Sequence, residues 1–213
     1  MKAALVEFIG TLFLVLVIGL TVMAPGAGAM APVAIGAMLM VMVYAGGHVS
    51  GGHYNPAVTL AVWLRGACKG SAVPGYLAAQ LLGAILASGF VQWCKAGGVV
   101  VAMQPPVAQA LLVETLFTFA LAYVVLNVAT AKQTAGNSYF GLAIGLTVTA
   151  GAYAAGNISG GVFNPAVAVG LALMGLLAAK HLWIFMVANL VGGALAALVF
   201  RLTHPNDSGF VKK

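Results

Sequence analysis

The run Ser50-Gly51-Gly52-His53-Tyr54-Asn55-Pro56-Ala57-Val58 returns as Ser159-Gly160-Gly161-Val162-Phe163-Asn164-Pro165-Ala166-Val167, and no other feature limits the possible folds as strongly. Asn is a favoured N-cap and Pro a favoured first helical residue, so each Asn-Pro-Ala reads as a helix start entered from a glycine-rich loop. Both copies lie in very apolar sequence: 62% of the 213 residues are hydrophobic, 6% are charged, and the mean hydropathy is +1.08. No soluble globular domain has that balance, so the chain reads as an integral membrane protein. Irregular backbone at membrane depth is tolerated only where it is packed in protein or lines a wet cavity, and the two loops therefore point to a pore.

Spans of about 20 apolar residues are predicted at Ala4 to Met23, Pro32 to Gly47, Val73 to Cys94, Val107 to Thr130, Ser138 to Gly156 and His181 to Arg201. The second is short unless its ends extend. The runs are continuous and lack the period-two alternation of barrel strands, so the fold class is all-α. The first span runs to full length, carries Glu7 and lacks a convincing Ala-x-Ala cleavage site, so it is expected to be retained rather than cleaved as a signal sequence. Asn55 to Leu64 and Asn164 to Leu173 are too short to cross and are predicted to be re-entrant half-helices.

The chain reads as a duplication, one channel-like domain over 1–213 with repeats at about 1–103 and 104–213. Leu5-Val6-Glu7-Phe8 opens the first half much as Leu112-Val113-Glu114-Thr115 opens the second, at nearly the offset that relates the Asn-Pro-Ala copies. Three spans per half invert the second half in the membrane, which brings the half-helix N-termini together at the midplane. Lys2, Arg65, Lys69, Lys132, Arg201, Lys212 and Lys213 fall on one side and only Lys95 and Lys180 on the other, so both termini are expected in the cytoplasm. The net charge of +6 is scattered over span ends and implies no nucleic acid. Cys68 and Cys94 sit at opposite ends of one span and read as free thiols; there is no metal-ligand cluster and no cofactor motif.

Two helix N-termini meeting head to head place two positive dipole ends and the amides of Asn55 and Asn164 at one point. A water or small hydroxyl solute would accept from both amides, turn its protons outward and fail to relay a proton, while the field opposes cations. A single Asn-Pro-Ala is normally only a helix cap; two in register within the same frame are not so easily explained. Glu7 and Glu114 are the only acids within the spans. They read as supports that accept hydrogen bonds from loop backbone donors, in preference to a proton relay. His53 either faces the inner vestibule or packs in its loop. His48, His181 and His204 read as capping or interfacial, and Tyr54 and Phe163 as packing.

The paired motifs, the Glu-Phe-Ile-Gly-Thr run at Glu7 to Thr11, the Ser-Gly-Gly-His-x-Asn-Pro-Ala-Val-Thr run ending at Thr59, and Gly-Tyr-x-x-Ala-Gln at Gly75 to Gln80 together resemble the aquaporin, or major intrinsic protein, superfamily in its bacterial form. The resemblance covers essentially the whole chain. It implies a right-handed bundle of six spans and two half-helices with a pore in each subunit, a homotetramer in the cell (inner) membrane, and passive conduction without enzyme activity. The pore midplane would be formed by Asn55, Pro56, Ala57, Asn164, Pro165 and Ala166. The family's outer constriction maps by spacing onto Ile35, Ala152, Gly161 and Val167. Most relatives have Arg where this chain has Val167, so the mouth is expected to be wide and apolar. Glycerol, urea, ammonia, hydrogen peroxide and undissociated arsenous acid join water as candidate solutes. Ala168 stands where dedicated glycerol facilitators usually have Asp.

A proton- or ion-coupled transporter also uses inverted repeats and broken helices, but it needs a titratable or ion-coordinating group in the solute path. An intramembrane hydrolase needs a nucleophile with a partner base or a metal at depth, and the sequence offers no such set.

Overall fold

The computed structural model describes residues 1–96 and 100–207. Its main elements are α1 (Lys2–Val22), α2 (Ala31–Ser50), α3 (Pro56–Arg65), α4 (Val73–Cys94), α5 (Val107–Val125), α6 (Phe140–Ser159), α7 (Pro165–Leu173) and α8 (Leu182–Thr203). Among the described residues there is no strand, only one isolated bridge between Met103 and Leu177. Six segments are long and apolar enough to cross a membrane, and α3 and α7 are the two short helices between them. The fold is all-α.

The second span is longer than its apolar core suggests. A 3-10 turn at Gly28–Met30 leads into α2, which runs on past His48 to Ser50, so the segment Gly28–Ser50 spans 23 residues. Gly46, Gly47 and His48 weaken the hydropathy signal there but do not break the backbone bonding, and the helix stops only where Gly51 turns left-handed at φ 96°. The fourth span keeps its expected extent in a different form: after Val125 the chain continues as a π-helix, Leu126–Thr130.

α1 packs mainly on α4, α5 on α8, and α2 on α6. Lipid is as apolar as leucine, so these contacts depend on close approach. A Cβ on Gly83 of α4 would lie 2.6 Å from the Phe8 carbonyl oxygen of α1, and one on Gly192 of α8 would lie 2.5 Å from that of Thr115 on α5. Large apolar side chains such as Leu82, Leu116 and Leu198 point outward, as expected of a surface solvated by lipid.

The basic residues fall at two ends of the bundle. Lys95 donates from Nζ to the carbonyl oxygens of Met23 and Pro25 at one end. Arg65 is not the simple charged span end that the sequence suggests: at the other end it is buried with Asp207, side chains 0% and 1% exposed and Nη2 to Oδ1 2.8 Å apart. Arg65 also donates to Thr130 Oγ1 and to the Thr130 carbonyl, and its guanidinium lies 4.9 Å from the centre of the Phe200 ring. The second Asp207 oxygen accepts from the backbone N–H of Lys132. One ion pair thus ties together the end of α3, the π-helix and the segment after α8. Lys212 and Lys213 lie outside the described residues.

Candidate functional site

The two loops form by the same sequence of steps. Gly51 and Gly160 end α2 and α6 in left-handed conformation, and Gly52 and Gly161 repeat it, each at φ 64°. Tyr54 and Phe163 are then held at φ 48° and 50°, a conformation that bulky residues adopt only when their surroundings force it. Asn55 and Asn164 return to extended backbone and cap α3 and α7, their Oδ1 atoms accepting from Ala57 N and Ala166 N at 2.8 and 2.9 Å. Pro56 and Pro165 take the first helical positions, where no N–H is needed.

Two buried carboxylates enforce this loop shape. Glu7 Oε1 accepts from Ser50 Oγ (2.7 Å) and His53 N (2.9 Å), and its Oε2 accepts from Tyr54 N (2.6 Å) and Gln80 Nε2 (2.8 Å). Glu114 repeats the set with Ser159 Oγ, Val162 N, Phe163 N and Asn189 Nδ2 at 2.6 to 2.9 Å. Both residues are 0% exposed, and neither is among the residues that line the two cavities described below. Loop N–H groups that no helix satisfies are bound by these anions, and charge-assisted bonds of this kind are the strong ones.

The strained residues aim their carbonyls across the join between the loops. Asn55 Nδ2 donates to the Phe163 oxygen at 2.8 Å, and Asn164 Nδ2 donates to the Tyr54 oxygen at 2.9 Å. The sequence predicts that both amides donate to a passing molecule; in the structure one hydrogen of each also fixes the opposite loop. An amide nitrogen carries two hydrogens, so one remains on each Asn without a protein partner. Both Asn residues line a cavity of about 910 Å³.

That cavity runs from an end near Val22 and Asn157 to the Asn pair, and Ile35, Ala152, Gly161 and Val167 all line it. Among the described residues no Asp, Glu, Lys or Arg lines it. Pro56, Ala57, Pro165 and Ala166 are buried behind its wall. Phe163 is packed away from it, while Tyr54, read from sequence as packing, contributes to the wall although it is 1% exposed. A second cavity of about 730 Å³ lies between the first and the Arg65 end of the bundle, and the two have His53 and Val125 in common. His53 is therefore at the junction, and His48 lines only the second cavity.

Sequence reasoning missed Gln80 and Asn189 as partners of the carboxylates, and it missed Arg65 with Asp207. The first pair had a signal, since both are amide residues inside apolar spans, separated by the same offset as Asn55 and Asn164. The second had none that was local. Among the described residues no group of His, Cys, Asp and Glu could hold a metal, and Cys68 and Cys94 are free.

The profile of the major intrinsic protein family matches residues 1–200. Similar proteins include a glycerol uptake facilitator protein-like 6 from Lactiplantibacillus plantarum, 37% identical with 97% of this chain and 100% of that protein covered. A probable aquaporin NIP-type from Nicotiana alata is 36% identical over 81% of this chain, and the match spans 64% of that longer protein. The fold is also that of the aquaglyceroporin from Plasmodium falciparum solved by X-ray, with a TM-score of 0.81 and 19% identity over 97% of this chain and 98% of that one. With a family profile and a full-length relative both aligned over these loops, the chain belongs to the major intrinsic protein family.

Proposed function

We propose that this chain is a passive transmembrane channel for water and small neutral solutes, and not an enzyme. The observation that carries this reading is the pair of unengaged amide hydrogens on Asn55 and Asn164, beside two helix N-termini, on an uncharged cavity. A molecule with a lone pair accepts there, while a cation meets two positive dipole ends. A water held by its oxygen points its protons away from the centre, so a hydrogen-bonded proton wire is interrupted.

Solute range depends on the outer part of the path. Ile35, Ala152, Gly161 and Val167 act as its filter, apolar and without an Arg to narrow it. Such a filter admits glycerol, urea, ammonia, hydrogen peroxide and undissociated arsenous acid besides water. The chain works as a homotetramer of single-pore subunits in the cell membrane. It is built from inverted repeats of about 1–103 and 104–213, with both termini and the Arg65 end in the cytoplasm. The one-sided placement of basic residues supports that orientation.

A coupled transporter is the competing reading. Glu7 and Glu114 are the carboxylates at depth, and each is saturated by four donors and lies off the path, which argues against a coupling role. Stopped-flow light scattering on reconstituted vesicles tests the proposal. Osmotic shrinkage faster than in empty vesicles, with reswelling as solute equilibrates, is the expected result. Solute accumulation against its gradient driven by a pH difference would overturn it.

A further inference from the structure

At the junction of the two cavities the path passes between Val125, which offers no polar atom from its side chain, and the His53 imidazole. The His53 Nδ1 lies 3.1 Å from Thr59 Oγ1. Thr59 Oγ1 has two further neighbours, the Asn55 carbonyl oxygen at 3.0 Å and Gln80 Nε2 at 2.9 Å. A hydroxyl has one proton and two lone pairs. Gln80 Nε2 can only donate, and its other hydrogen is committed to Glu7 Oε2, so one Thr59 lone pair is taken. The Asn55 carbonyl can only accept. If the Thr59 proton pointed at His53, the hydroxyl and carbonyl oxygens would face each other 3.0 Å apart with lone pairs opposed. Directing the proton to Asn55 satisfies all three contacts and requires His53 Nδ1 to be the donor.

We infer that Thr59 is a positioning residue that fixes His53 as its Nδ1–H tautomer and so presents a bare Nε2 lone pair to the molecule passing between the cavities. This rests on the channel reading above. Nε2 has no protein hydrogen bond, and it is not one of the buried atoms without a partner, which among the described residues are Thr11 Oγ1, Gln80 Oε1, His181 Nδ1 and Asn189 Oδ1. It therefore opens on the path. It faces Gly51, where a Cβ would lie 3.0 Å away, and the Tyr76 ring, with centroids 5.1 Å apart, restricts rotation of the imidazole. The path then carries donors at the Asn pair and an acceptor at His53, so a solute bearing both a lone pair and an O–H or N–H finds a partner at each place.

The two halves of the chain differ at this point. Val162 and Ala168 occupy the places of His53 and Thr59 in the second half, and the amide of Asn189 instead donates to Thr118 Oγ1 on α5. Where the imidazole is missing, the hydroxyl that would orient it is missing too. The acceptor is thus a one-sided addition to a symmetric frame.

Magic-angle-spinning NMR of ¹⁵N-histidine-labelled protein in lipid vesicles tests this at neutral pH, with His53→Gln to assign the signal. Wild type and Thr59→Ser are expected to show an unprotonated Nε2. Thr59→Val, which keeps the shape and loses the hydroxyl, is expected to shift the ring towards the Nε2–H form. Its water permeability per channel should fall about fivefold, the equivalent of one lost hydrogen bond, and the Ser variant should retain it. A protonated Nε2 in wild type overturns the inference, and that spectrum needs no folded variant. So does Thr59→Val with an unchanged spectrum, or with a changed spectrum and unchanged permeability. Wild-type vesicles that pass no water would refute the channel reading itself, whereas the spectrum would still decide the tautomer.

Discussion

Asn55 donates its amide hydrogen to the carbonyl of Phe163, the residue immediately before Asn164, and Asn164 returns the bond to Tyr54, the residue immediately before Asn55. Each half-helix is therefore located by the opposite loop, and the two amides cannot move independently. The positive φ of Tyr54 and Phe163 turns the two carbonyls to where these bonds form. Strain in the loops and register at the site are one feature of the structure.

Replacing Asn164 by Asp removes the donor to Tyr54 and places an acceptor-only anion on the cavity. Asn164→Asp is expected to let cations through and to lower water permeability. Current across planar bilayers and stopped-flow water flux measure the two effects. A bilayer as electrically silent as with wild type would contradict this placement of Asn164.

Val167 follows the second Asn-Pro-Ala and lines the cavity of about 910 Å³. Val167→Arg puts a long cation with five donors into an apolar opening. Glycerol and urea flux should fall by about tenfold or more, the effect of roughly 1.4 kcal/mol of added barrier, with water affected far less. Parallel solute and water measurements on one vesicle preparation decide it; equal loss of all fluxes, or none, would mean that this position does not set the width.

Glu114→Gln keeps an oxygen for Ser159 and Val162 but turns an NH₂ towards Phe163 N and Asn189 Nδ2, both donors. Loss of two charge-assisted bonds is expected to cost about 3 kcal/mol or more. The thermal midpoint in detergent should drop accordingly, and Glu7→Gln should behave alike. A carboxylate acting only as a proton relay would leave the midpoint unchanged.

Breaking the Arg65 and Asp207 pair from one side leaves a buried charge without its counter-charge. Arg65→Met or Asp207→Asn should each destabilise by about 3–5 kcal/mol, with the double variant recovering much of the loss. Burial opposes ionisation of Asp207, but the Lys132 N–H and the Arg65 guanidinium outweigh it and hold the carboxyl below its ordinary value. The unfolded chain therefore takes up its proton first as the pH falls. The contribution is complete above the ordinary carboxylate range, near pH 4, and is lost as the pH drops through the lower folded value. Unfolding midpoints measured against pH should show this acid-side loss in wild type and a smaller one in Asp207→Asn.

Phe163 is buried at φ 50°. Phe163→Ala and Phe163→Gly both empty its pocket, at about 3–5 kcal/mol, but only Gly accepts the backbone without strain. The Gly variant should be the more stable of the two by about 1 kcal/mol, against the usual preference for Ala. Denaturation in mixed micelles gives the order, and Ala above Gly would show that the loop relaxes.

The spans were legible because lipid imposes one rule on every residue of a crossing segment, and hydropathy reports it locally. The expected and observed extents of the fourth span, Val107 to Thr130, agree although its last turn is a π-helix, since hydropathy is blind to the hydrogen-bond ladder. The second span reads as Pro32 to Gly47 because the polar residues His48 and Ser50 end the apolar run that hydropathy reports, whereas α2 continues to Ser50 and is preceded by a 3-10 turn at Gly28–Met30. Of the site, the Asn caps could be read from Asn-Pro-Ala alone. The sequence also predicts the loop backbone donors to Glu7 and Glu114, but not the amides of Gln80 and Asn189, because these reach the carboxylates from other helices.

The sequence by itself determined that the chain crosses a membrane as helices, that two short helices begin at Asn55 and Asn164, and that the run Ser50 to Val58 returns at Ser159 to Val167. These follow from hydropathy, capping chemistry and repetition, all of which act over a few residues or by direct comparison. Only the tertiary structure decided that each amide bonds the opposite loop, that Arg65 is buried on Asp207, and that Thr59 faces His53. Each joins atoms whose distance depends on how helices pack or on a left-handed turn, and neither leaves a local mark in the order of residues.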